Sequence, residues 1–170
     1  QKNLWIGTSG EGVYRLDKDR NLTHPIPKGN ITSIYEDSSE ELWIGSWEEG
    51  LYRVKQDGGI RNLKHDSRNP NSLSSNENRP GSLTHSSVWC IVKDGQGTLW
   101  LGTYFGGVNY FNPEYEIYTR YKVGQTEKEG LSSPIIGRMI EDKAGNLWIC
   151  TEGGGVNVYD RKKGTYRWYR

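Results

Sequence analysis

The sequence predicts an all-β protein built from tandem four-stranded antiparallel units. A short strand pattern, with a tryptophan between two aliphatic residues, occurs four times, and its indoles are Trp5, Trp43, Trp100 and Trp148. The copies lie roughly 40 to 60 residues apart, and β-type units at about that period are typical of propellers and solenoids. We therefore predict a partial β-propeller of about four blades, taken from a larger ring.

The tryptophan strand is the second of four strands in each unit, which we name a to d. Strand a alternates apolar and other residues and precedes the tryptophan strand in three units, beginning at Ile31, Val88 and Ile136. A glycine-rich turn and strand c follow, and an aromatic or apolar strand d ends the unit. Period-two alternation gives each strand one face to bury, and a neighbouring blade must cover that face. The repeat tryptophans are accordingly predicted to lie in the core.

The turn between strands a and b carries an aspartate and, in two units, a glycine: Asp94-Gly-Gln-Gly and Asp142-Lys-Ala-Gly. The aspartate can accept hydrogen bonds from the backbone amides of the turn, and the glycine supplies a positive φ. The second unit reads Asp37-Ser-Ser-Glu and lacks the glycine. A different turn geometry is therefore expected in that unit.

These strands predict blades at 1–29, which lacks strand a, and at 30–66, 86–123 and 134–170, with 67–85 as an inter-blade loop. A partial ring leaves unpaired edges at both ends, and such edges favour pairing with other chains. We therefore expect self-association, or association with the remainder of the propeller, through the open edges.

Composition excludes several classes of function. The 22 Lys and Arg residues nearly balance the 21 Asp and Glu residues, so the net charge of +1 provides no strong field for binding nucleic acid. Apolar runs are too short for direct membrane insertion. Cys90 and Cys150 have no second Cys or His at ligand spacing, so no metal site and no cofactor are predicted. Two buried thiols are favoured for them over a Cys90–Cys150 disulfide.

Candidate ligand-binding residues follow from propeller geometry, in which the b–c turns and the d–a loops share one face. Aromatic side chains at the b–c turns could stack on sugar rings, and carboxylates there could accept hydroxyl hydrogen bonds. Two further candidates lie on predicted a strands that line the channel. The set is Trp47, Glu48, Trp89, Tyr104, Phe105, Arg138 and Glu152. The alternative is that these aromatic residues pack between blades.

The stretch Glu141-Asp-Lys-Ala-Gly-Asn-Leu-Trp-Ile-Cys-Thr-Glu-Gly-Gly-Gly-Val closely resembles the two-component regulator propeller repeat. Its one departure from the repeat pattern is Cys150, where the pattern has glycine. The resemblance implies the periplasmic sensor region of bacterial hybrid two-component system histidine kinases. It also implies that the segment either recognises an oligosaccharide or glycan fragment or relays its binding to a kinase that lies outside these residues.

Two other functions stay open at the level of sequence. One is a structural or protein-docking propeller. The other is a propeller glycan lyase or hydrolase, since the Asp-x-x-Gly-x-Leu-Trp turn is similar to the Asp box of sialidases. The arginine cluster and the paired acid and nucleophile of that chemistry have no recognisable counterpart here. No catalytic residue is therefore predicted, and a non-enzymatic protein is expected.

Overall fold

The computed structural model describes residues 3–66, 68, 73, 86–113 and 117–170. These residues form short strands connected by turns, so the predicted all-β class is confirmed. In the described residues, no helix has the length and apolar character required to cross a membrane. The strands are β1 (Leu4–Gly7), β2 (Ser9–Gly10), β3 (Val13–Leu16), β4 (Leu22–Ile26), β5 (Gly29–Glu36), β6 (Leu42–Ser46), β7 (Leu51–Val54), β8 (Ile60–Leu63), β9 (Val88–Lys93), β10 (Leu99–Thr103), β11 (Val108–Asn112), β12 (Ile117–Tyr121), β13 (Ile136–Glu141), β14 (Leu147–Thr151), β15 (Gly155–Asp160) and β16 (Thr165–Tyr169).

The strands form four antiparallel sheets that follow one another along the chain. Blade 1 contains β1, β3 and β4, blade 2 contains β5 to β8, blade 3 contains β9 to β12, and blade 4 contains β13 to β16. The short strand β2 leaves blade 1 and pairs with β5 of blade 2, where Ser9 lies opposite Asn30. The predicted 67–85 loop lies outside the described residues except for Arg68 and Leu73, and Leu73 is buried against blades 2 and 3.

Strand a carries an irregularity at the same place in blades 2, 3 and 4. The register between strands a and b shifts by one residue, so that strand a has one residue without a partner on strand b. In blade 2 this shift lies between Ile31 and Ser33. In blade 3 it lies on strand a opposite Gly102 and Thr103 of strand b. The equivalent shift in blade 4 lies between Ile136 and Arg138. The extra residue of such a bulge leaves the regular alternation, so its side chain takes a direction that period two does not predict.

The aspartate turns hold the tryptophans in place. The indole N–H of Trp43 donates to Asp37 Oδ2 at 3.2 Å, and that of Trp100 donates to Asp94 Oδ2 at 3.0 Å. Trp148 makes the same bond to Asp142 at 3.0 Å. This indole bond, together with hydrogen bonds from Asn146 and from the turn backbone, lowers the pKa of Asp142 to about 2. The aspartate of each turn therefore fixes the orientation of the indole on the strand b that follows it.

The expectation of a different turn in blade 2 is wrong. Glu40 has a φ of 57°, close to the values of Gly97 and Gly145 at the same position of blades 3 and 4. Its amide donates to the Asp37 carbonyl at 3.0 Å, as the two glycine amides do to Asp94 and Asp142. The hydrogen bonds of the turn therefore hold a side chain in the left-handed region, at a local cost of about 1 kcal/mol.

Three core clusters lie between successive blades. Each contains aliphatic residues from strand b of one blade and residues from the preceding blade that face them. The buried members are Val13, Ile26, Leu42, Ile44 and Val54 between blades 1 and 2, then Trp43, Leu51, Leu73, Val88, Leu99, Leu101, Phe111 and Tyr118 between blades 2 and 3, and Cys90, Trp100, Val108, Leu131, Ile136, Met139, Leu147, Ile149 and Tyr159 between blades 3 and 4.

The repeat tryptophans differ in burial according to their position in the arc. Trp43 is 0% exposed and Trp100 is 2% exposed, so the predicted core position is confirmed for both. Trp5 is half-buried, and Trp148 is 39% exposed. The prediction is wrong for Trp148, because its side chain points away from blade 3 on the outer side of blade 4.

Candidate functional site

Three of the predicted aromatic residues meet where blades 2 and 3 adjoin. The ring centroids of Trp47 and Trp89 are 5.2 Å apart in an edge-to-face arrangement, and those of Trp47 and Tyr104 are 4.6 Å apart. Trp89 and Tyr104 are 6.2 Å apart. These distances are those of attractive aromatic pairs. We refer to Trp47, Trp89 and Tyr104 as the aromatic cluster.

Backbone hydrogen bonds position two members of the cluster at the ends of strands b. The amide of Trp47 donates to the Asn30 carbonyl at 2.9 Å, and the amide of Tyr104 donates to the Ser87 carbonyl at 3.1 Å. Glu152 of blade 4 donates in the same way to the Ile135 carbonyl at 3.0 Å. The three residues therefore occupy one repeat position, at which blades 2 and 3 carry an aromatic ring and blade 4 a carboxylate.

Trp89 reaches the cluster because of the bulge in strand a of blade 3. Val88 pairs with Thr103 and Cys90 pairs with Gly102, so Trp89 is the extra residue and has no partner on β10 in the ladder. Its neighbours Val88 and Cys90 are buried, whereas Trp89 is 38% exposed. The bulge thus turns an indole out of the core and towards Trp47.

Phe105 extends the cluster on its outer side. Its ring packs edge-to-face on Tyr104 with centroids 4.7 Å apart. The backbone of Phe105 has a φ of 70°, a left-handed conformation that is uncommon for an aromatic residue. Strain of this kind recurs at ligand sites, where the surrounding structure maintains it.

A cavity of about 500 Å³ opens beside the cluster. Its walls combine the two indoles with hydroxyl and amide groups and one charged side chain, the guanidinium of Arg138. The lining residues are Ser9, Asn30, Ile31, Thr32, Trp47, Trp89 and Arg138. This volume and mixture of surfaces are typical of small-molecule sites.

The predicted site residues therefore separate into two groups. Trp47, Trp89 and Arg138 line the cavity, and Tyr104 packs on its indoles with Phe105 behind it. Glu48 and Glu152 are exposed and do not line the cavity.

Sequence reasoning missed Ser9, Asn30 and Thr32, which also line the cavity. Thr32 occupies the bulged position of blade 2 that Trp89 occupies in blade 3. Aligning the a strands of the two blades would have identified it once Trp89 was a candidate.

Neither thiol is oxidised, so the disulfide alternative is wrong. Cys90 is buried, and burial raises the pKa of its thiol to about 12, whereas Cys150 is exposed. The exposure of Cys150 contradicts the prediction of two buried thiols. Among the described residues, no group of three or more His, Cys, Asp or Glu side chains is arranged to hold a metal ion.

Comparison with known proteins identifies the repeat. The family model for the two component regulator propeller matches residues 25–48, 82–105 and 130–153. No curated protein matches the sequence.

Among solved structures, the extracellular domain of BT3049, a protein of B. thetaiotaomicron described as a hybrid two component system, is 26% identical, with a TM-score of 0.70. That similarity covers 99% of this chain and 20% of the other, so the chain spans about a fifth of the length of its relative.

Two more distant structures show the fold alone. Virginiamycin B lyase from Staphylococcus aureus is 15% identical with a TM-score of 0.67, over 99% of this chain and 52% of the lyase. PorZ, a surface component of the type-IX secretion system of Porphyromonas gingivalis, is 12% identical with a TM-score of 0.68, over 98% of this chain and 26% of PorZ. The predicted propeller fold is confirmed, and the three matched segments are similar to the two component regulator propeller repeat.

Proposed function

We propose that this segment is part of the periplasmic ligand-sensing region of a hybrid two-component sensor, and that it binds an oligosaccharide in the cavity beside the aromatic cluster. The observation that carries the proposal is the meeting of Trp47, Trp89 and Tyr104 at a cavity that Arg138 also lines. Similarity to the extracellular domain of a hybrid two component system supports an extracytoplasmic location.

The chemistry of the cavity suits a sugar. A pyranose ring presents an apolar face of C–H groups and a rim of hydroxyls, and an exposed indole can stack on that face. Trp89 offers such a surface, while Asn30 and the Arg138 guanidinium offer hydrogen-bond donors to hydroxyl oxygens. Ser9 donates its hydroxyl hydrogen to Asn30 Oδ1 at 3.1 Å, which helps to orient that amide.

In this proposal the segment is non-enzymatic and acts through a change in binding. Occupancy of the cavity would bridge strand a of blades 2, 3 and 4, because Thr32, Trp89 and Arg138 come from those three strands. A ligand that contacts all three blades shifts the equilibrium toward the relative arrangement of the blades that it binds more tightly. A kinase elsewhere in the parent protein would read that arrangement.

Calorimetric titration against a panel of soluble oligosaccharides tests the proposal. We expect at least one member to bind, and we expect Trp89→Ala and Tyr104→Ala each to weaken that binding about tenfold or more, equivalent to about 1.4 kcal/mol. Trp168→Ala is the matched control, because Trp168 lies on β16 outside the cavity and donates its indole N–H to the Gly130 carbonyl. The control should bind like the wild type.

Two results would contradict this function. One is the failure of every panel member to bind, or binding that Trp89→Ala and Tyr104→Ala leave unchanged. The other is release of products from a polysaccharide by the purified protein, which would establish a lyase or hydrolase instead.

A further inference from the structure

The cavity beside the aromatic cluster has one ionisable side chain among its described lining residues, and that side chain is a cation. The lining residues other than Arg138 carry apolar, aromatic, hydroxyl or amide groups, and no carboxylate is among them. A guanidinium stays positively charged at every physiological pH and presents planar pairs of N–H donors. A carboxylate or sulfate matches those donors better than a neutral hydroxyl does, because the hydrogen bonds are then charge-assisted.

The arginine is not a requirement of the repeat. Arg138 pairs with Cys150 in the ladder between strands a and b of blade 4. The residues at the same position of strand a are Ser33 in blade 2 and Cys90 in blade 3. Strand a therefore forms the same pairing with a small uncharged side chain at this position, so the charge of Arg138 is available for another role.

The guanidinium acts in the direction of blade 3. Burial raises the pKa of the Cys90 thiol to about 12, and the positive charge of Arg138 opposes that rise, because it stabilises the thiolate. The charge of Arg138 thus reaches strand a of blade 3, on which Trp89 precedes Cys90. This location agrees with the presence of Arg138 and Trp89 in the lining of one cavity.

The bulge of blade 4 leaves room beside this cation. The register shift of strand a makes Gly137 the extra residue of that bulge. Thr32 and Trp89, the bulged residues of blades 2 and 3, both line the cavity. Apart from its neighbours in the chain, a Cβ added at Gly137 would have the Cys150 carbonyl oxygen at 3.6 Å as its nearest contact, an ordinary van der Waals distance. Blade 4 therefore leaves space next to Arg138 where the other two blades place a side chain.

We propose that the ligand of this cavity is an acidic oligosaccharide, with a carboxylate or sulfate group bound by the Arg138 guanidinium beside Gly137 and a sugar ring stacked on Trp89. This inference rests on the function proposed above and specifies the chemical class of its ligand. The indole can stack on the apolar face of any pyranose, whereas the cation favours the charged members of the class.

Calorimetric titration with matched pairs of sugars tests this class. Uronic acid oligosaccharides of pectin, alginate and glucuronan are each paired with their methyl esters, which lack the carboxylate charge. Sulfated galactan oligosaccharides are paired with their desulfated forms. We expect an acidic member to bind about tenfold or more tightly than its neutral counterpart, because the neutral form loses a charge-assisted hydrogen bond. The pair that shows this difference identifies the anion as a carboxylate or a sulfate.

Variants at two positions locate the anion. Arg138→Gln removes the charge from an exposed side chain and should lower the affinity for the acidic ligand about tenfold, while the affinity for its neutral counterpart stays the same. Arg138→Lys should recover part of that loss, because it restores the charge without the planar pair of donors. Gly137→Leu should also weaken binding of the acidic ligand, because its side chain fills the space beside the guanidinium.

The matched control is Lys143→Gln, which removes one positive charge from an exposed side chain of the same blade, in the a–b turn and outside the cavity lining. It should bind the acidic ligand like the wild type. An equal loss of affinity in Lys143→Gln and Arg138→Gln overturns the inference, because it indicates only a general attraction by net charge. So does an acidic ligand whose affinity Arg138→Gln leaves unchanged.

The outcomes also separate this inference from the function on which it rests. If the tightest binder is a neutral oligosaccharide whose binding requires Trp89, the cavity is a sugar site and the acidic class is wrong. If every acidic and neutral sugar fails to bind, both the inference and the proposed function are overturned.

Discussion

Blades 2 and 3 place tryptophans in two opposite environments within a few residues. Trp43 and Trp100 are buried, and their indoles are bonded to the turn aspartates Asp37 and Asp94. Trp89 lies on a bulge, 38% exposed, and meets Trp47 at the cavity. The difference teaches that Trp43 and Trp100, at the repeat position, are part of the packing between blades, whereas Trp47 and Trp89, outside it, lie at the cavity.

The largest expected effect comes from removing a repeat tryptophan. Trp100→Ala should lower the free energy of unfolding by about 3–5 kcal/mol, because it leaves a cavity in the cluster between blades 3 and 4. Trp89→Ala should lower it by only about 1–2 kcal/mol, because it removes the ring contacts with Trp47 and Tyr104 but leaves no cavity in a core cluster. Urea unfolding of both variants measures the difference. Equal losses of unfolding free energy would contradict the distinction between the buried repeat tryptophans and Trp89 at the cavity.

A smaller effect is expected at the polar end of the same interface. Arg161 pairs with the buried carboxylate of Asp94 at 2.9 Å, and its guanidinium lies 5.2 Å from the ring of Trp100. Arg161→Ala should cost about 2 kcal/mol, since it leaves Asp94 buried without its cation. Lys163→Ala is the matched control, because the exposed Lys163–Asp160 pair should contribute less than about 1 kcal/mol. Similar losses of unfolding free energy in the two variants would contradict this account.

The smallest expected effect is a gain in stability in blade 2. Glu40→Gly should raise the free energy of unfolding by about 1 kcal/mol, because glycine adopts a positive φ without the steric cost that Glu40 carries. Glu152→Gly, at an exposed position outside this turn, serves as the comparison and should not stabilise the protein. A loss of stability in Glu40→Gly would indicate that the side chain contributes more than its backbone strain costs.

The strands, and the turns of blades 3 and 4, were predictable because their signals are local. Alternation at period two and the aspartate turn are readable within ten residues, and both led to the observed sheets. The burial of Trp148 was not predictable in this way, because a side chain is buried only if a neighbour covers it. Trp148 has the same local pattern as Trp100, yet only Trp100 has a following blade among the described residues.

The candidate site was predictable in part. The position of Trp47 and Tyr104 at equivalent turns follows from the repeat, and so does their proximity. The contributions of Thr32 and Asn30 depend on the bulge and on the pairing of β2 with β5, which are properties of the tertiary register. Thr32 can be inferred by aligning strand a of blade 2 with that of blade 3 once Trp89 is a candidate, whereas Asn30 has no such signal in the sequence.

The most direct test of the central claim is a heteronuclear NMR titration that follows the indole N–H signals of the seven tryptophans. On addition of an oligosaccharide that binds, the signals of Trp47 and Trp89 should shift, while those of Trp43 and Trp100 should stay in place. Shifts confined to the repeat tryptophans, or to Trp148 and Trp168 in blade 4, would place the ligand elsewhere and contradict the proposed site.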